Sequence, residues 1–205
     1  MKPQFWDAAC AELSGRDPVM AQIIAERGDI YLTTRGDPFQ TLARSIVNQQ
    51  ISVKAALSVW TRVQQAAGEV SPQRLARMRI TTLRKCGLSE RKAEYMKDLG
   101  KRFTSGEVDP THWPQLDDEA IIAELVTVRG IGRWTAEMFL IFNLLRPDVL
   151  PLDDLGLIRG VEKRYREGAP VSRREVQQLG ERWRPWRTVA TWYLWRSLEP
   201  VPVEL

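Results

Sequence analysis

The sequence predicts an all-α protein, on three observations. Apolar residues recur at helical spacing in segment after segment. Those segments begin with a capping side chain, often followed by proline. No stretch shows the convincing period-two alternation of a half-buried strand. In chain order, Asp17-Pro18 is the first clear start: a short acid that can accept a first-turn N–H, then the residue with no N–H to lose. It opens a helix expected over 17–26. "DIYLTTRG" (29–36) reads at most as a short extended piece. Asp37-Pro38 repeats the start signal, and "PFQTLARSIVN" (38–48) sets Phe39, Leu42 and Ile46 at helical spacing. Ala55, Ala56, Val59, Trp60 and Val63 do the same over 52–67, and Ser71-Pro72 marks another start. Further helices are expected at 89–103, 117–126, 133–145, 155–166, 172–183 and 186–197, with Ser172 and Glu175 forming a capping box. About ten short helices follow, with no linker or low-complexity segment between them.

A chain of 205 residues, 43% of them hydrophobic, suits one domain or two small lobes sharing a core. No apolar run approaches the roughly 20 residues needed to span a bilayer, and "MKPQFWDAACAELSGRD" lacks the apolar stretch of a signal peptide. Cys10 and Cys86 are far apart and form neither a disulfide framework nor a CxxC knuckle. The expectation is a reduced, cytosolic protein without membrane contact, carrying two structural thiols. The net charge of +4 is a weak pointer to a polyanion. Residues 159–187 are more telling, with nine Arg and Lys against four acids. That cluster is either a solvated helix surface or a set of phosphate contacts.

One internal repeat is visible. "LRKCGLSERKA" (83–93) and "VTVRGIGRWTA" (126–136) align, Gly87 with Gly130, Ser89 with Gly132 and Ala93 with Ala136. Each reads as helix, tight turn, helix. Gly130 and Gly132 allow backbone angles closed to other residues. A helix starting after the second glycine would aim its first N–H groups and dipole out of the turn, a site that suits a phosphate. The plainer reading is a glycine cap followed by a new helix. Arg129 and Arg133 bracket the turn and favour the phosphate.

The run L-x-x-x-x-G-I-G-x-x-T-A, followed about twenty residues later by "LPLDDLGL" (150–157), resembles the helix-hairpin-helix DNA glycosylase superfamily, in its alkylpurine (3-methyladenine) glycosylase II branch. "PFQTLARSIVNQQIS" (38–52), "LRKCGLSERKAEYMKDL" (83–99) and "ERWRPWRTVATWYLWR" (181–196) extend the likeness over roughly residues 15–197. The resemblance implies a two-lobed all-α fold with its active site in the interlobe cleft. The chain would form a single glycosylase unit: a middle lobe of about 38–145 containing the 126–136 hairpin, and another of about 1–37 plus 146–205. Longer members add an N-terminal β-rich domain; this chain resembles the compact ones.

The implied chemistry needs four things of these residues, because a base must be swung out of the duplex before its glycosidic bond can be reached. Breaking that bond builds positive charge on the sugar, which one carboxylate can stabilise while it orients water. Of Asp153 and Asp154, the resemblance makes Asp154 catalytic, and the helix-capping role is assigned to Asp153. An alkylated purine is cationic and suits an aromatic face. Trp134 and Trp195 align with pocket positions, Met138 stands where the best-known member has tyrosine, and Trp183, Trp186 and Trp192 are expected in the core. In "VNQQIS", Gln50 is the expected wedge filling the flipped base's place, with Gln49 or Ile51 beside it. Gly130, Gly132, Arg129 and Arg133 would hold a phosphate, Arg129 replacing a common proline. The family also places a monovalent cation, Na or K, on hairpin carbonyls, here those of Val126, Val128 and Ile131. The first repeat, with Ser89 and Glu90, looks structural.

Two absences refine the reaction. The lysine of strand-cutting relatives would stand at Trp134, so base removal without lyase activity is expected. The tail after Trp183 lacks the cysteines of an iron–sulfur cluster. His112, the only histidine, reads as a polar loop residue and no zinc site can be assembled around it. The leading function is therefore a monomeric, monofunctional DNA glycosylase of base excision repair. It would release 3-methyladenine and 7-methylguanine from double-stranded DNA and, in a bacterium, work at the nucleoid. Two alternatives stand beside it: a non-catalytic helix-hairpin-helix DNA-binding protein, and a glycosylase for other damaged bases.

Overall fold

The computed structural model describes residues 1–199. Among them the chain is helical, with no strand, as the spacing predicts. The helices are α1 (Trp6–Arg16), α2 (Pro18–Arg27), α3 (Pro38–Asn48), α4 (Val53–Ala67), α5 (Pro72–Arg77) and α6 (Ile80–Lys85). There follow α7 (Glu90–Ser105), a 3-10 turn at Trp113–Gln115, α8 (Asp118–Leu125), α9 (Arg133–Phe142), α10 (Leu155–Tyr165), α11 (Arg173–Glu181) and α12 (Arg187–Ser197). No helix among the described residues is long and apolar enough to cross a membrane.

The punctuation read from the sequence is mostly made of real bonds. Asp17 accepts from the amides of Val19 and Met20 at the start of α2, and Asp37 from Gln40 at the start of α3. Ser172 and Glu175 complete the capping box of α11. Ser71 stands at the N-cap of α5 but makes no side-chain cap bond. One helix, α1, escaped the sequence reading, and two were read only in part, α5 by its start at Ser71-Pro72 and α6 as the first helix of the first repeat. α1 begins at Phe5, which offers no capping side chain, although Trp6, Ala9 and Leu13 form a fully buried stripe. α5 and α6 have six residues each, too few to display a period. α9 ends at Phe142 rather than 145: Leu145 takes a positive φ of 52°, and the amide of Arg146 returns to the carbonyl of Leu140. Residues 30–35 adopt no regular element.

The chain forms two units, one of residues 35–139, the other of 1–34 with 140 onward. In the first, α7 is the central helix, packed against α3, α5 and α6. Its Ala93, Met96 and Leu99 are fully buried, and burying a leucine or methionine of this kind contributes about 1.5–3 kcal/mol. Trp113 closes this core edge-on to Phe139 and Phe103. In the second unit α12 plays the same part against α1, α2 and α10. Buried Asp17 ties this core together: besides capping α2, its Oδ2 accepts from the Tyr165 hydroxyl (2.9 Å) and from Trp183 Nε1 (3.3 Å). Burial, reinforced by that carboxylate, pushes the Tyr165 phenol well above its ordinary range.

Candidate functional site

Both repeats fold as a helix, a glycine turn and a second helix, within the 35–139 unit. Gly87 and Gly130 have φ of 99° and 86°, a region that side-chain-bearing residues avoid. At Gly130 space is forbidding too: a Cβ would lie 2.2 Å from the Tyr95 ring. Leu88 and Ile131, the middle residues, are buried and anchor each turn. The copies differ at the last turn position. Ser89 caps α7 by accepting from the amide of Lys92. Gly132, its counterpart before α9, has no side chain with which to cap. It is exposed, is not among the positive-φ glycines, and a Cβ there would meet no atom within 4 Å. Nothing in the fold requires glycine at 132.

The arginines beside this turn lie on acids. Arg129 reaches Glu94 (2.9 Å) while its amide donates to Asp98. Arg133 spans Glu119 with two N–H bonds and donates through Nε to Glu137 (3.0 Å). The bond to Glu119 raises the guanidinium further above its already high range, and the same bond lowers Glu119. Both pairs are largely exposed and contribute at most about 1 kcal/mol each, so a phosphate could compete for either arginine. Trp134 follows in the first turn of α9, 46% exposed, and Met138 lies four residues on, half-buried on the same helix face.

The α3–α4 turn belongs to the same unit. The side chain of Gln49 donates through Nε2 to the carbonyl of Gly130 (2.8 Å), so Gln49 is tied to the second hairpin. Gln50 is exposed and holds a left-handed φ of 54°, unusual for a residue with a side chain. Ile51, Val53 and Leu57 after it are exposed apolar residues.

In the other unit, Asp154 is 9% exposed and forms the N-cap of α10. Its Oδ1 accepts from the amide of Leu157 (2.7 Å) and from the indole Nε1 of Trp195 (2.7 Å). This corrects the division of labour expected between the two acids. Asp153 does not cap; it is exposed and pairs with Arg173 at 3.1 Å. Asp154 immediately precedes the first helical residue with an extended backbone (φ −83°, ψ 116°), the position from which an oxygen reaches the third helical amide. The Trp195 ring also stacks on Phe142, centroids 5.6 Å apart and planes at 11°. Gly156, not singled out in the sequence, makes the arrangement possible. A Cβ there would sit 2.9 Å from the Trp195 indole and 3.0 Å from Asp154 Oδ1. Its only signal was a glycine in the first turn of an otherwise good helix.

The segment leading to Asp154 is fixed by α12. Arg187 donates through Nε and a terminal nitrogen to the two oxygens of Asp148, and Thr188 Oγ1 donates to the carbonyl of Arg146 while accepting from the amide of Val149. The basic run 159–187 is accordingly not a bare cationic face. Arg164 pairs with Glu26, Arg166 with Glu175, Arg184 with Asp148 and Glu181, and Arg187 with Asp148. Arg159 and Arg174 are exposed. Of the remaining tryptophans, Trp183 is fully buried, whereas Trp186 stacks on Phe5 and Trp192 carries the Arg196 guanidinium 4.2 Å above its ring. His112 is exposed beside Asp109.

Residues 43–185 match the family described as HhH-GPD superfamily base excision DNA repair protein. DNA-3-methyladenine glycosylase 1 of Schizosaccharomyces pombe is 34% identical over 194 residues, covering 90% of this chain and 84% of that one. A crystal structure of a DNA-3-methyladenine glycosidase from Bacillus halodurans superposes with a TM-score of 0.87 at 37% identity, over 92% of this chain and 88% of that one. The S. pombe 3-methyladenine DNA glycosylase in complex with abasic DNA superposes with a TM-score of 0.82 at 31% identity, over 96% of this chain and all of that one.

Proposed function

The chain belongs to the HhH-GPD superfamily of base excision DNA repair proteins, and from that premise we propose that it is a monofunctional DNA glycosylase releasing alkylated purines. The observation that carries the reading is the buried Asp154 carboxylate, whose Oδ1 is fixed by two N–H donors. In a chain similar over nine-tenths of its length to a 3-methyladenine glycosylase, a buried and oriented carboxylate supports that reading.

An N3- or N7-alkylated purine already carries positive charge. When the C1′–N bond breaks, the base leaves with the bonding electrons as a neutral molecule, and the positive charge passes to the sugar. Asp154 opposes that charge and orients the water that adds at C1′; the water's proton passes to the carboxylate or to solvent. Leu157 and Trp195 fix the carboxylate plane, so little reorganisation is needed as charge develops. Trp134 offers an exposed π-face to a cationic base, an interaction of about 0.5–2 kcal/mol depending on desolvation. Because Trp134 stands where a lyase would have lysine, no Schiff base forms and the strand stays intact after base release.

DNA is held, on this reading, at the α9 N-terminus. Gly132 is a glycine that the fold does not require, which is explained if a phosphate approaches the backbone there. Gln50, exposed and left-handed, is the wedge, while Gln49 is engaged with Gly130. We also propose the carbonyls of Val126, Val128 and Ile131 as ligands of a monovalent cation. Neutral oxygens suit an alkali ion, and the Val128 carbonyl, which accepts the Ile131 amide at 3.1 Å, keeps a second lone pair. The protein works as a monomer in the cytosol.

The test is incubation with methylated duplex DNA and chromatography of the released bases. Release of 3-methyladenine or 7-methylguanine, with strands cut only after alkali, is the expected result. Release of nothing from any damaged duplex that the protein binds would favour a non-catalytic DNA-binding role. Release confined to deaminated or oxidised bases would move the assignment within the superfamily.

A further inference from the structure

The amino group of Lys92, in the first turn of α7, lies 2.8 Å from the carbonyl of Val47 and 2.5 Å from that of Gln49. These carbonyls flank the C-terminus of α3, immediately before Gln50. Lys92 is half-buried and forms no ion pair with an acid among the described residues. Burial lowers its pKa, and the two neutral carbonyl oxygens bring no charge to offset that. From the other side, Gln49 is bonded to Gly130 of the second hairpin. The α3–α4 turn is therefore gripped twice, by the helix leaving the first hairpin and by the turn of the second. Between the grips stands Gln50 in its left-handed conformation, a state costing of order 1–2 kcal/mol that persists only when its surroundings impose it.

We propose that Lys92 is a positioning residue for base extrusion: its ammonium, clamped on Val47 and Gln49, holds Gln50 ready to enter the space the base leaves. This gives the first repeat a task in DNA repair. Its turn is capped by its own serine, and the helix it launches carries the clamp. The proposal rests on Gln50 being the wedge.

A purely structural role for Lys92 would be a helix C-cap, and α7 contains its own control. Lys97 donates in the same way to the carbonyls of Ala76 and Met78, closing α5. The experiment compares Lys92→Met, Lys97→Met and Gln50→Ala on a duplex with 2-aminopurine beside a modified base, whose fluorescence rises on extrusion, with Kd on undamaged duplex and thermal unfolding in parallel. Lys92→Met should cut the extrusion amplitude or rate about tenfold, since a small misplacement of a positioned group is that costly. Its undamaged-duplex Kd should stay within about threefold. Lys97→Met should lower Tm while leaving extrusion intact, and Lys92→Arg, which keeps two donors, should restore part of the loss. Combined with Gln50→Ala, the Lys92 change should add nothing, because both act through one residue. Wild-type extrusion by Lys92→Met, while Gln50→Ala loses it, would overturn the clamp and spare the wedge. Wild-type extrusion by Gln50→Ala would overturn the wedge itself. If Lys92→Met does not fold, amide exchange in residues 47–52 of Lys92→Arg decides: protection equal to that of the native loop supports the clamp, and exchange at the rate of an open loop contradicts it.

Discussion

The two hairpins of the 35–139 unit share a length, a left-handed glycine and a buried central residue, and they part at the last turn position. In the first, Ser89 Oγ satisfies an amide of the helix that follows. In the second, Gly132 has no side chain with which to do the same, although nothing crowds the position. A turn that caps itself is finished as structure. A turn that withholds its cap keeps the positive end of a helix available to a ligand. On the proposed function the same fold element serves once as scaffold and once as grip, and the distinction lies in the third turn residue rather than in the glycine that makes the turn.

The largest effect should come from forcing a negative charge onto the grip. Gly132→Asp should weaken duplex binding about a hundredfold, roughly 2.7 kcal/mol, with the fold intact. Ser89→Asp, an exchange of one good cap for another, should leave binding alone. Equal losses in the two, measured by fluorescence anisotropy, would erase the difference between the hairpins. Next in size is Gly130→Ala. With a positive φ and the Tyr95 ring in the way, it should cost about 2 kcal/mol or more of stability in urea unfolding. Gly132→Ala should cost almost none. Ser89→Ala should lose about 1 kcal/mol of stability through its cap and nothing in DNA affinity. The smallest effect concerns the masked arginine. Glu119→Gln should release the two terminal nitrogens of Arg133, whose Nε stays on Glu137, tighten duplex binding two- to threefold and steepen its salt dependence by up to about one counterion. Acid should act likewise. Glu119 is held below its ordinary range, so its pair with Arg133 is complete above the unfolded carboxylate pKa and lost as pH falls through the lowered folded value.

The all-α class and most helix starts were legible because a cap and a period are local properties, written in adjacent residues such as Asp37-Pro38 or Ser172 with Glu175. The bonds around the proposed site residues were less legible. Asp154 was proposed through family likeness, yet the sequence had no means of showing that it, rather than Asp153, caps α10. That depends on where the helix begins to within one residue. Gly156 was missed because its reason is Trp195, 39 positions away, and that contact exists only in three dimensions. The arginines were read as phosphate ligands from their adjacency to the turn. Their acids, Glu94 and Glu119, come from other helices, so the neutralisation was invisible in the local sequence.

The central claim is that Asp154 performs glycosidic hydrolysis while other groups hold the DNA. It is tested most directly by single-turnover release of 3-methyladenine from one methylated duplex, comparing the native protein with Asp154→Asn and measuring duplex Kd for both. The asparagine keeps an oxygen for Leu157 and Trp195 but loses the charge. The account predicts a fall in release of at least about a hundredfold, in keeping with the loss of a group that stabilises the transition state, with Kd changed less than about threefold and strands uncut before alkali. Release at the native rate by Asp154→Asn would contradict it.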